Sequence, residues 1–302
     1  MTLVGALVVV ELGIVNIAAQ AVSGHYPRTH WNFGSGWATP PAPYMSRIDK
    51  TFETGAAPHV VLDVDKADVT VQAGSETGVH VLATMHVSGW TSGVRPALTA
   101  IRTADGVRVA AESGLVRVHA GRIEREVRIT VPPDAQVEIV SAGSAVAMGL
   151  RGKLVAHLDD ANVRVFNHRG DVDVKTSSGD VELIDVHGAA LALRTDDGAL
   201  KLTSSGADHI DARSASGDIT AVDLRAVDGA LITQDGLVSV SFTGTTDATV
   251  NVHAGDGDVH VVGLTSTDNE DHRSVVHIGS GRGHFEVSSG DGSITITQGA
   301  SV

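Results

Sequence analysis

The sequence predicts an all-β protein whose C-terminal half is a single-stranded parallel β-helix, or β-solenoid. Its unit is about 19 residues with two strands, and an N-terminal hydrophobic helix precedes the whole. Three observations carry this. Gly179, Gly198, Gly217 and Gly236 recur at intervals of 19 residues, and an alternating apolar run follows each at once. Aromatic residues make up only 3% of the chain, so a core must be built from Val, Leu, Ile and Ala. Val, Thr and Gly are abundant, a composition that suits strands and turns rather than helices.

Taken in order, residues 3–22 form an apolar stretch of about the ~20 residues that cross a bilayer. Glu11, Asn16 and Gln20 interrupt it, and no Lys or Arg precedes it, whereas Ala19-Gln20-Ala21 has the small-x-small form of a cleavage site. Three readings stand: a retained membrane anchor, a cleaved signal segment, or a buried helix. The first two put the rest of the chain outside the membrane. Residues 23–45 are rich in Gly, Pro and Ser and read as a linker. The scarce rings Trp31, Phe33 and Trp37 fall there, either at a membrane interface or packed on the first strands.

Residues 46–140 hold short runs of period two, such as Val60–Val64, Val69–Val71, Val79–Leu82, Val107–Val109 and Val127–Val131. Each signals a strand with one buried face. Pro132-Pro133-Asp134 ends one run sharply. Arg95 to Arg102 is less regular and is expected to form one short helix.

Residues 141–302 are the repetitive part. Val181, Leu200, Ile219 and Val238 fall in one 19-residue column, and Leu183, Leu202, Ala221 and Val240 in the next. A second strand contributes Val172, Leu191 and Ile210, with Val174, Leu193, Ala212 and Leu231 beside them. Glu182, Lys201, Thr220 and Ser239 lie between the columns and should face water. A unit this small cannot bury its own apolar face, but stacked copies bury it together. The recurring glycines are expected to supply the positive φ of the turn between strands. The period drifts after residue 250, and 265–274 reads as an inserted loop. An antiparallel meander could use the same strands, because Asp-Gly and Ser-Gly are also hairpin turns. The in-register columns favour stacking.

Ser178-Gly179-Asp180-Val181, Ser216-Gly217-Asp218-Ile219 and Arg169-Gly170-Asp171-Val172 carry a resemblance. So do the upstream segments 47–71 and 125–154. Over about residues 46–299 the chain resembles the bacterial "putative adhesin" family, a domain of unknown function. The resemblance implies a surface-exposed β-solenoid, often tethered by a transmembrane segment, and it brings no catalytic residues. Ser144-Ala145-Val146 departs from the family's Gly-Asp before the strand.

The formal charge of −14, with no basic stripe, argues against a nucleic-acid partner. The absence of cysteine excludes disulfides. Stacking would align Asp180, Asp196, Asp197, Asp218 and Asp235 along one edge, continued by Asp256 and Asp258. Of these, Asp180, Asp197, Asp218, Asp235, Asp256 and Asp258 are the candidate Ca²⁺ ligands, since carboxylates at Gly turns can hold that ion. The competing reading is that Asp and Ser cap backbone amides at the turns. His253, His260, His272, His277 and His284 cluster towards the C-terminus but lack a zinc spacing.

Neither a Gly-x-Ser-x-Gly elbow nor a P-loop is present. The adjacent pairs Asp159-Asp160 and Asp196-Asp197 suit turns better than catalysis. The expectation is therefore a non-enzymatic interaction module at the bacterial envelope, without cofactor. Its expected partners are the membrane, through the N-terminal segment, and a protein or glycan surface. A membrane-tethered signalling or scaffold subunit is the alternative, and a polysaccharide-active enzyme the third reading.

Overall fold

The computed structural model describes residues 44–299 apart from 75–76, 93–96, 113–116 and 271. These residues belong to one compact unit, Pro40–Val302. The expected N-terminal helix, most of the linker, and Trp31, Phe33 and Trp37 lie outside the described residues. Within them every regular element is a strand. The first half contains β1 (Tyr44–Glu53), β2 (His59–Asp63), β3 (Ala67–Ala73), β4 (Gly78–Ser92), β5 (Ala97–Arg102), β6 (Gly106–Glu112), β7 (Arg117–Val131), β8 (Gln136–Ser141), β9 (Ser144–Met148), β10 (Leu154–His157) and β11 (Asn162–Arg169). There follow β12 (Val172–Lys175), β13 (Val181–Thr195), β14 (Leu200–Thr203), β15 (Gly206–Ser214), β16 (Ile219–Thr233), β17 (Val238–Phe242), β18 (Ala248–Ala254), β19 (Val259–Val262), β20 (Thr265–Glu270), β21 (Arg273–Ile278), β22 (Gly283–Ser289) and β23 (Ile294–Gln298).

The repeat is a flattened parallel coil with two faces, A and B. Val181 pairs with Leu200, Leu200 with Ile219, and Ile219 with Val238, all in parallel register on face B. Val172, Leu191 and Ile210 pair in the same way on face A. The 19-residue columns are thus the ladders of the sheets. The inward members are buried, while the residues between them face outward on both sheets. Each ladder satisfies its backbone groups from the coil above and the coil below.

The same stack continues through the first half of the chain. Strands β2 and β3 pair in parallel with β8 and β9, so the coils run unbroken across residue 140. Both ends break sequence order. At one end, β2 and β3 lie between β8 and β9 on one side and β6 and β7 on the other. At the other end, β22 and β23 are wedged between the coil of β16 and β17 and the coil of β18 and β19. The C-terminal coil is therefore not the last in space. Antiparallel strands finish the stack: β4 and β1 beyond β7, β5 beyond β6, and β21 with β20 beyond β18.

Two local expectations are corrected here. Residues 97–102 form β5, not a helix, because Leu98 and Ala100 alternate with period two and bury against the core. Residues 265–274 are not a plain loop. Most of them form the β20–β21 hairpin, with Ser274, Val276 and Ile278 facing inward on β21.

The role assigned to the recurring glycines is also corrected. None of Gly179, Gly198, Gly217 and Gly236 has a positive φ. They are required by close approach instead: a Cβ on Gly217 would overlap the Gly198 carbonyl oxygen of the coil beneath. A run of left-handed residues sits at the opposite corner of the coil. Gly149, Asn167, Asp185, Ser204 and Asp223, with φ between 48° and 72°, follow one another from coil to coil. Asn and Asp tolerate this conformation better than most side chains.

Beside each close glycine stands a buried hydroxyl. Thr233 Oγ1 donates to the Gly217 carbonyl of the previous coil at 3.0 Å and accepts the Gly236 amide at 3.2 Å. Thr176, Thr195, Ser214 and Ser289 make the same pair of bonds in their coils. The wedged coil is fitted by size. Gly229 leaves space in the column next to Phe285, whose ring meets Phe242 edge-on at 5.5 Å.

Three variants test this fold. Gly217→Ala should cost about 3 kcal/mol in urea unfolding, because backbone must move to admit the methyl group. Thr233→Val should cost about 1–3 kcal/mol, because the Gly236 amide stays buried without an acceptor. His168 is fully buried in the column between Leu150 and Val186, and burial holds its pKa below 6.5. The unfolded chain then takes up the proton that the folded chain refuses, so this site destabilises the fold as pH falls below about 6.5. The melting-temperature advantage of His168→Leu over the parent should widen between pH 7.5 and pH 5.

Candidate interaction surface

The turn leading from face A to face B collects the predicted aspartates, but not as one cluster. Amide-to-carbonyl bonds stack Ser178, Asp197, Ser216, Asp235, Asp291 and Asp256 in that order. The wedged coil thus places Asp291 between Asp235 and Asp256, which the period alone did not reveal. At the next position Asp180 and Asp218 are engaged. Asp180 Oδ1 accepts the Ala199 amide at 2.9 Å, and Asp218 Oδ1 accepts the Leu237 amide at 2.8 Å. Asn162 and Ser293 serve the same role for the amides of Asp180 and Asp258. Each bond joins one coil to the next, so these side chains staple the stack. Among the described residues no three His, Asp or Glu side chains converge as a metal-binding group.

The histidines are likewise spread out. His253 and His260 are exposed on opposite faces. His272 Nδ1 meets the Gly257 carbonyl at 2.8 Å, His277 meets Thr249 Oγ1 at 3.2 Å, and His284 lies 3.5 Å from the Asn251 amide nitrogen.

Face A is polar and paired. Asp211 is bridged by Arg194 at 3.0 Å and Arg213 at 2.6 Å. Burial works to raise its pKa, but the two guanidiniums outweigh that and hold it below the usual carboxylate value. A depression of about 350 Å³ lies here, floored by Gly229 and Ala230 and walled by His209, Asp228 and His284. A second, of about 470 Å³, lies between Asn251, His253, Arg273 and Glu286. The adjacent pair Asp159-Asp160 sits in a turn, where the Asp159 carbonyl accepts the Ser177 amide, and Asp196 plays the same part for Ala215.

The outward rows of face B run Arg164–Glu182–Lys201–Thr220–Ser239–Thr295–His260 and, alongside its far end, Ser241–Thr297–Val262. Nearer β9 the outward side chains are the ion-paired Arg164 and Glu182 together with Val146, Met148, Phe166 and Ile184, the last four half-buried. The outward column Glu182, Lys201, Thr220 and Ser239 was expected, but its continuation through Thr295 and His260 was missed. The register that assembles it depends on the wedged coil, which brings Thr295 next to Ser239 across 56 residues of chain.

Residues 58–297 match the Toastrack DUF4097 family. The chain belongs to that family. The match covers nearly all of the stretch 46–299 on which the Ser-Gly-Asp-Val/Ile turns had suggested the "putative adhesin" family, itself a domain of unknown function. No curated protein matches this Toastrack chain. Solved structures similar to it include a "putative adhesin" from Bacteroides fragilis NCTC 9343. It is 12% identical, covers 86% of this chain and 100% of its own, and has a TM-score of 0.48. A "putative adhesin" from Parabacteroides distasonis ATCC 8503 is 14% identical over 83% of this chain and 97% of its own, at 0.49. A "putative lipid binding protein" from the same organism is 13% identical over 85% and 97%, at 0.45.

The wedged coil is fastened by Asp247. Its carboxylate accepts Ser280 Oγ at 3.0 Å and Arg282 Nε at 2.6 Å, and the Arg282 contact holds its pKa down to about 2. Because the folded-state pKa is depressed, this clip is intact above about pH 4 and is lost as pH falls through 2. Asp247→Ala should raise hydrogen exchange in residues 283–289 at neutral pH while leaving residues 191–214 protected.

Proposed function

We propose that this chain is a non-enzymatic interaction module of the bacterial envelope, held outside the membrane by its N-terminal apolar segment. The hydroxyl row Thr220–Ser239–Thr295 on face B is the observation that carries this reading. Thr220, Ser239 and Thr295 repeat at the coil spacing of ~4.8 Å, on a backbone fixed by coil-to-coil bonds on both sides. A rigid row of hydroxyls donates and accepts at regular intervals, with little conformational entropy to lose on binding. Such a row matches an extended partner with repeating polar groups, which favours a cell-wall glycan over a compact small molecule. Further along the same face, past the Lys201–Glu182–Arg164 ion pairs, the half-buried Met148, Phe166 and Ile184 offer apolar contact for sugar faces.

The paired state of Asp211 and the turn positions of the aspartate pairs suit a binding surface better than acid–base chemistry. The apolar length of residues 3–22 supports the envelope location.

Co-sedimentation with purified insoluble cell-wall polysaccharide tests the reading. The parent chain should pellet with the polymer, and Thr220→Lys/Ser239→Glu/Thr295→Lys should reduce the bound fraction about tenfold with an unchanged melting temperature. Equal binding by parent and variant, or none by the parent, would reject face B as the glycan surface.

A further inference from the structure

The two faces end unevenly at the C-terminal pole of the stack. Face A runs on past β18 through β21 to β20, whereas face B stops at β19. Two strand positions on face B opposite the hairpin are thus left open among the described residues. The interior shows it. In the next coil inward Ile294 and Ile296 are fully buried, yet their partners Val259 and Val261 on β19, like Leu264, are only half-buried. Val262 is 59% exposed.

Among the described residues strand β19 also has a free edge. The Asp258 carbonyl accepts the Ile294 amide, so the backbone groups of Asp258, His260 and Val262 point towards β23. Successive groups alternate along a strand, which leaves those of Val259 and Val261 on the open side. At the opposite pole the outer strands are β1, which carries Arg47, Asp49, Lys50 and Glu53, and β5, whose one charge is Arg102. The segment Val259-His260-Val261-Val262 carries no Lys, Arg, Asp or Glu, whereas β20 carries Asp268 and Glu270 towards its end.

We infer that this step is the docking surface for a second copy of the same chain. The step is self-complementary. A two-fold axis along the strand direction exchanges faces A and B, so the hairpin of each copy drops into the vacancy of the other. Strand β20 of one copy then lies antiparallel beside β19 of its partner, with β21 behind it, and the same contact forms a second time across the axis. Both free edges close and Val259, Val261 and Leu264 of both copies go under cover. The contact is isologous, so assembly stops at two. An unrelated extended peptide could pair with β19, but it would leave the free edge of β20 unpaired. A second copy satisfies both edges at once, which favours it.

Sedimentation of the full chain in mild detergent tests this. The parent should sediment as a dimer at micromolar concentration. Val261→Lys, which points a charge into the closed end, should be monomeric with a cooperative melt retained. Should Val261→Lys fail to fold, Val262→Lys gives the same reading: its side chain is already in solvent, and a weakening of the dimer by about tenfold supports the inference. A parent that stays monomeric, or a dimer that survives the folded lysine variants, overturns it.

Discussion

The structure depends on how closely one turn can lie on the next. Parallel coils repeat at ~4.8 Å only if nothing intervenes at their corners. At the turn from face A to face B the chain achieves this with a glycine that presents bare backbone to the carbonyl beneath. The hydroxyl three residues earlier bridges the two coils and stays buried in doing so. The buried hydroxyl is costly unless satisfied, and here it is satisfied from two coils at once. That makes it a gauge of correct stacking, because a coil shifted by one residue would leave both partners orphaned. The apolar ladders contribute more of the burial energy, but they are less selective, since Val, Leu and Ile exchange along them.

This division between selective turns and permissive ladders explains what was legible in the sequence. The columns from Val181 to Val238 and from Val172 to Ile210 could be read because burial imposes the same residue class every coil. The turns could be located but not interpreted. Glycine answers both to left-handed backbone and to close contact, and sequence alone does not separate the two. The pattern of Ser or Thr three residues ahead of Gly179, Gly198, Gly217, Gly236 and Gly292 was the available clue. The left-handed corner was harder to see, because Gly149, Asn167, Asp185, Ser204 and Asp223 share no single residue type.

The surface was the least legible part. A side chain's neighbours on a solenoid are those of the adjoining coils, so its setting is defined only when the order of coils is known. That order follows the chain from β8 to β17 and departs from it at both poles. Asp180 and Asp218 sit in the regular region, where capping by coil-to-coil amide bonds could be anticipated in kind. Asp291 beside Asp235, and Thr295 beside Ser239, lie where the order departs.

The displaced C-terminal coil also dictates a sequence of assembly. From β10 to β17 each coil finds its support in the one just made, at short chain separation, and can zip along as the chain emerges. Residues 248–262 have no such support, because the slot between them and Val238 belongs to Ile294 and its neighbours. Their place in the stack is completed only once residues 283–298 have been synthesised. The pole of the molecule is thereby its slowest part to mature, and a chain released too early would present an unfilled gap across its core.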